Sequence, residues 1–176
     1  MTAYERPSLF INGELRDTAE HADDILMNPA TGVQLAPVPI ASERDIADAI
    51  AAATRALPVW SATAPAARAR VLAKAGQLIR DRAEALAQTL TLENGKTLPE
   101  ARGEIGAAAD ILDWFSGEAR RGYGRIIPAA PEVRMLALKE PVGVVAALSP
   151  WNFPVVVSLK KIAAALASGC TVVAKP

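Results

Sequence analysis

Residues 142–176 begin Val142-Gly143-Val144-Val145-Ala146-Ala147-Leu148-Ser149-Pro150-Trp151-Asn152-Phe153-Pro154 and end Gly169-Cys170-Thr171-Val172-Val173-Ala174-Lys175-Pro176. Val142 to Leu148 is a continuous apolar run, the pattern of a strand covered on both faces. Ser149 to Pro154 break the run. Val155 to Ser168 suits a helix of about four turns, with Pro154 near its start and Gly169 as its stop. Thr171 to Ala174 is a second apolar strand. Strand, helix and strand at this spacing form a βαβ unit, which predicts parallel strands and a right-handed crossover. Ligands in such sheets bind at the carboxyl ends of the strands, beside the following loops. Two places qualify: Leu148 to Asn152, and Lys175-Pro176.

Working back from there, the chain reads as extended pieces followed by helices. Leu9-Phe10-Ile11 before Asn12-Gly13 is a hairpin signal. Asn28 to Gly32 is a second turn cluster, and Val33 to Ile40 carries Pro37 and Pro39, so it is an edge strand or a loop. Ser42 and Asp45 resemble a capping box; Ile46, Ala49, Ile50, Ala53 and Leu57 then share a helix face that Pro58 ends. Pro65 opens a helix whose stripe is Val71, Leu72, Ala75, Leu78 and Ile79, with Arg68, Arg70, Lys74 and Arg80 solvated. Leu86, Leu90 and Leu92 carry helical character to a stop at Asn94-Gly95. A third helix runs from about Pro99 to Arg121 and buries Ile105, Ala109, Leu112 and Phe115, its charged residues facing solvent. Gly122 to Pro131 reads as a loop and Val133 to Leu138 as a short strand.

Composition narrows the function classes. The 176 residues hold 19 Lys+Arg and 19 Asp+Glu, so the net charge is zero. That balance argues against nucleic acid as a partner, since phosphate binding needs a cationic excess, and against a polybasic membrane-surface segment. Apolar residues make up 51% and aromatics 5%, and about a fifth of the chain is alanine, which favours helices. No stretch is long and apolar enough to span a bilayer, and Met1 to Phe10 lacks the apolar core of a signal peptide. One cysteine excludes an intramolecular disulfide framework, and with no metal-type spacing it fits a reducing cytoplasm.

Few residues are placed for chemistry. Asn152 lies between a strand and a helix, where its carboxamide either aims an N–H into a pocket, as an oxyanion-stabilising donor does, or simply caps the helix. Lys175 ends the second strand at the same sheet edge. It either binds phosphate or ribose hydroxyls or is a solvated strand-end lysine. Cys170 follows Gly169 at the far end of that strand and reads as a buried small hydrophobe, because a reactive thiolate needs a partly exposed, electropositive site. His21 has no partner spacing and reads as a surface residue.

Pro150-Trp151-Asn152-Phe153-Pro154 followed by Ala164-Ala165-Leu166-Ala167-Ser168-Gly169-Cys170-Thr171-Val172-Val173-Ala174-Lys175-Pro176 closely resembles the NAD(P)-dependent aldehyde dehydrogenase superfamily. Phe10 to Gly13, Asn28 to Gly32, Leu92 to Lys96 with Glu100 and Glu104, and Glu140 to Val144 agree in order and spacing, so the resemblance covers nearly the whole chain. It implies an α/β fold with a partial Rossmann-like parallel sheet, preceded by an N-terminal hairpin region and a helical segment. The implied division is an extended segment at 1–40, a helical part of the cofactor-binding domain at 41–121, a loop and strand of an oligomerisation arm at 122–141, and the first βαβ unit at 142–176, truncated at its second strand.

The resemblance also implies roles. Asn152 matches the asparagine that stabilises the oxyanion formed when a cysteine thiolate attacks an aldehyde. Leu148, Ser149, Pro150 and Trp151 match the segment lining the NAD or NADP cleft, and Lys175 the lysine that reaches the adenosine ribose. Lys161 matches a lysine behind the active site. The family reaction is hydride transfer from a thiohemiacetal, then thioester hydrolysis to the carboxylic acid. The family's nucleophilic cysteine and general-base glutamate have no match here, Cys170 corresponding to a structural position. The chain therefore looks like an N-terminal fragment, inactive alone. The alternative is a non-catalytic piece that binds nucleotide weakly or associates with a longer subunit, and the full-length form is a homo-oligomer. Arg55-Ala56-Leu57-Pro58 with Trp60, and Thr91 to Glu104, are similar to the succinate-semialdehyde dehydrogenase branch. In that branch an arginine binding the substrate carboxylate stands where this sequence has Lys160, which keeps the charge and loses the bidentate fork.

Overall fold

A computed structural model describes residues 4, 6–16 and 24–176; His21 lies outside the described residues. Two hairpins come first. Strand β1 (Leu9–Ile11) pairs antiparallel with β2 (Glu14–Arg16). Asn12 and Gly13 join them at φ 55° and 83°, the positive dihedrals a two-residue primed turn requires. Strand β3 (Asp24–Met27) pairs with β4 (Gln34–Val38), closed where the Gly32 N–H donates to the Asn28 carbonyl at 2.8 Å. Pro37 is tolerated because, among the described residues, β4 has no second strand beside it.

Helix α1 (Glu43–Ala62) starts at a full capping box on Ser42 and Asp45. The Ser42 hydroxyl and amide hold the Asp45 carboxyl below its ordinary range. Pro58 does not end α1, as its sequence position predicts; the helix runs through it to Ala62. The last turn is anchored from outside, Trp60 Nε1 donating to the Leu166 carbonyl at 3.1 Å, which offsets the helix bond Pro58 cannot form. Ile46 and Ile50 are half exposed and Ala53 is the buried residue of the expected face.

Helices α2 (Pro65–Asp81), α3 (Ala83–Asn94) and α4 (Leu98–Glu118) form the main layer. The first two are separate helices that meet at Arg82, and Gly95 at φ 81° stops α3. Helix α4 is central, packing against both of its predecessors and the C-terminal helix. Ala69, Leu72 and Leu112 make one cluster of the core, and Ala87, Leu90, Ala101 and Ile105 another.

Two charges expected in solvent are buried here. Arg68 is 8% exposed and Glu104 4%. The α2 stripe is centred on Arg68, Leu72, Ala75 and Ile79, so Val71 and Leu78 turn outward. Arg68 donates to three backbone carbonyls: Thr63 at 2.6 Å, Ala167 at 3.2 Å and Ser61 at 3.3 Å.

The segment read as a loop from Gly122 contains strand β5 (Arg125–Ile127), which pairs antiparallel with β6 (Met135–Ala137). Every side chain of this hairpin is exposed, so no inside–outside alternation marks it in the sequence. The C-terminal part is the expected βαβ unit: β7 (Val144–Leu148), α5 (Pro154–Ser168) and β8 (Thr171–Lys175), parallel in a register from Val144↔Thr171 to Leu148↔Lys175. Both α1 and α5 pack on the pair. The strands are not covered throughout as the apolar run predicts: within them only Ala147 and Thr171 are fully buried.

Two stability effects are expected. Arg68→Ala leaves buried carbonyls without a donor and lowers unfolding free energy by about 2–4 kcal/mol, read from the urea midpoint. Gly169, at φ +93°, has the Pro141 Cγ 2.9 Å from where a Cβ would stand. Gly169→Ala therefore costs about 1–3 kcal/mol in the same measurement.

Candidate active site at the ends of the parallel strands

Strands β7 and β8 end level with each other at Leu148 and Lys175. The Ser149 N–H donates to the Lys175 carbonyl at 3.1 Å, carrying the ladder one step beyond the strands. The chain then turns through Pro150, Trp151, Asn152 and Phe153, all exposed, onto α5. Phe153 occupies the N-cap position and no side chain caps that helix locally. Asn152 thus does not serve as the cap. Its carboxamide makes no hydrogen bond among the described residues, while its carbonyl accepts from Lys96 Nζ at 3.1 Å.

The loop is held from the α3–α4 turn. Asn94 Nδ2 donates to the Trp151 carbonyl at 2.8 Å, and Lys96 Nζ sits 4.6 Å from the centre of the Phe153 ring. Lys96 is ion-paired with Glu104, whose side chain is 1% exposed. Glu104 Oε1 accepts from the Val155 and Val156 amides at 2.9 and 3.2 Å. The sequence pattern places Asn94 at a helix stop and Glu104 among solvated charges, and points to no functional part for either of them or for Lys96. One signal was there: Glu104 falls on the same helical stripe as Ala101, Ile105, Ala108 and Leu112, where a charge has to be paired.

The remaining predicted residues divide. Leu148 is exposed, and its carbonyl accepts from Lys161 Nζ. Ser149 Oγ is buried without a hydrogen-bond partner among the described residues. Among the described residues Lys175 Nζ reaches only the carbonyl of its neighbour Pro176, at 3.2 Å. Lys160 is exposed on α5 and bonded to none of the others. Cys170 is 2% exposed and precedes the start of β8, the end away from Lys175. A groove of about 700 Å³ lined by Arg68, Phe115, Tyr123 and Lys139 lies along the C-terminal half of α5, away from Asn152.

Among the described residues no group of His, Cys, Asp and Glu is placed to hold a metal ion, and no helix is long and apolar enough to cross a membrane. What the strand ends offer is an unbonded amide donor, an ammonium bonded to the carbonyl of the neighbouring residue, and a buried hydroxyl without a partner among the described residues. An exposed ammonium at the carboxyl edge of parallel strands matches the ribose or phosphate oxygens of a dinucleotide, so Lys175 fits such a cofactor.

Comparison with known proteins bears on the same region. Residues 18–176 match the aldehyde dehydrogenase family. The 4-(hydroxymethyl)benzenesulfonate dehydrogenase TsaD1 of Comamonas testosteroni is 43% identical over 98% of this chain and 36% of its own length. The succinate-semialdehyde dehydrogenase [NADP(+)] of Escherichia coli is 42% identical over 97% of this chain and 36% of its own. A crystal structure of an NADP-dependent enzyme of E. coli superposes with TM-score 0.93 at 42% identity, over 97% of this chain and 36% of that one. The chain thus spans about 36% of the length of the relatives it matches. With the match running from Thr18 through both parallel strands to Pro176, the chain belongs to the aldehyde dehydrogenase family.

Proposed function

We propose that these residues supply the oxyanion donor and part of the cofactor cleft for oxidation of an aldehyde to a carboxylic acid with NAD or NADP. The observation that carries this is the juxtaposition at one sheet edge of the unbonded Asn152 carboxamide with the paired strand ends Leu148 and Lys175. Asn152 Nδ2 donates to the oxygen that becomes negative as a thiolate adds to the aldehyde; a fixed donor there is stronger than water because it needs no reorganisation. Lys175 holds ribose hydroxyls, and Leu148, Ser149, Pro150 and Trp151 line the cleft beside them. The nicotinamide, when bound, accepts the hydride. Lys160 is the cation for an anionic substrate tail, a reading supported by relatives whose names specify a semialdehyde of a dicarboxylic acid and a benzenesulfonate. We further assign 41–121 and 142–176 to the cofactor-binding domain, with 1–40 as an extended segment preceding it. The exposed β5–β6 hairpin within 122–141 is an arm for homo-oligomer formation, and the protein works in the cytoplasm.

The thiolate nucleophile is assigned to polypeptide other than these residues, because Cys170 is buried at the wrong end of β8. Ellman's reagent therefore labels the folded chain at least about tenfold more slowly than the chain in urea, as expected for a thiol shielded by structure. Rapid labelling of the native thiol contradicts the assignment. For the cleft, calorimetric titration with NAD and NADP is expected to show binding that Lys175→Met weakens about tenfold, the loss of a charge-assisted hydrogen bond. No heat with either nucleotide at millimolar concentration, or equal affinity in the variant, overturns the placement of the cofactor.

A further inference from the structure

We propose that Glu104 and Lys96 are positioning residues for Asn152, a role that rests on reading Asn152 as the oxyanion donor. Helix α5 has no side-chain cap and no acidic residue in its first turn, so its leading amides need an acceptor from elsewhere. The Glu104 carboxylate fills that need across a tertiary contact, taking the Val155 and Val156 amides on Oε1 while Oε2 faces Lys96. A full negative charge there also complements the positive end of the helix dipole. Lys96 passes the constraint on to the loop: its ammonium donates to the Asn152 carbonyl and lies over the Phe153 ring.

The two residues together fix the backbone on both sides of the Asn152 side chain while leaving its carboxamide unbonded. That division matters for an oxyanion donor. Its N–H contributes most when it is held in place before charge develops, and a local side-chain bond would consume the group that has to face the substrate. Glu104 acts on the helix and Lys96 on the loop, so the two contributions separate experimentally.

The test uses the 176-residue chain labelled with 5-fluorotryptophan, which reports Trp60, Trp114 and Trp151 as separate ¹⁹F resonances assigned by Trp→Phe variants, together with amide hydrogen exchange. In Glu104→Ala the Val155 and Val156 amides exchange about tenfold faster or more, while amides of α2 keep their protection. Glu104→Gln retains an acceptor and keeps most of that protection, but it loses the charge that holds Lys96. It therefore shifts or broadens the Trp151 resonance and leaves those of Trp60 and Trp114 in place. Lys96→Met gives the same ¹⁹F result with the helix amides still protected, and covers the case in which Glu104→Ala does not fold. Uniform loss of protection, or movement of all three resonances together in Glu104→Gln and Lys96→Met, overturns the proposal in favour of a general packing role. Unchanged spectra overturn it outright. None of these readouts involves substrate, so failure of the oxyanion reading shows separately, as an Asn152→Ala change that leaves aldehyde turnover intact when these residues are joined to polypeptide carrying the thiolate nucleophile.

Discussion

Helix α5 is terminated at both ends by charges it does not own. Glu104 from α4 accepts its first free amides, and Arg68 from α2 donates to the Ala167 carbonyl at its far end, beside the Trp60 indole on the Leu166 carbonyl. The helix itself carries no acid in its first turn and no base in its last. Both partner side chains are buried, where an unpaired charge costs several kcal/mol, so neither can leave without destabilising the layer it comes from. The position of α5, and with it the βαβ unit and the strand ends, is set by this pair of contacts together with the packing of Leu159, Ala163, Leu166 and Ala167 on the helical layer.

That arrangement explains why the candidate site is assembled from so few elements. The parallel register brings Leu148 and Lys175 side by side through backbone bonds alone. The loop that follows is oriented through its carbonyls rather than its side chains, by Asn94 and Lys96. Positioning by backbone leaves the exposed side chains of Trp151, Asn152 and Lys175 available for other molecules.

Much of this was legible in the residues. The hairpin at Asn12-Gly13, the capping box at Ser42, the glycine stops and the βαβ unit each depend on one or two local residues, and local rules found them. The failures share a cause, which is that tertiary partners decide them. Pro58 stays inside α1 because Trp60 is anchored 106 residues away. Arg68 and Glu104 look like solvated charges until α5 provides the groups they satisfy, although each lies on an apolar stripe, Arg68 with Leu72, Ala75 and Ile79. Strand β6 lies within the strand expected at Val133 to Leu138, but its partner β5 reads as loop because it buries nothing, and a fully exposed strand carries no inside–outside period. At the site, the motif residues stood out by their place at a strand end. The group that supports them did not, because its members are brought together only by the packing of α4 on α5.

The borrowed termini of α5 also bear on the order in which the chain acquires structure. The bonds that complete the helix join residues 51 and 52 apart at its start and 99 and 106 apart at its end. Contacts of such separation form only after long loops have closed, and the entropy of that closure comes before any gain. The α2–α4 layer, held by nearer contacts and by the Thr97–Glu100 capping box of α4, is able to form first and present Arg68 and Glu104 as a template. The crossover helix then docks between two waiting charges, while the parallel strands, only 27 residues apart in their pairing, need no such long closure.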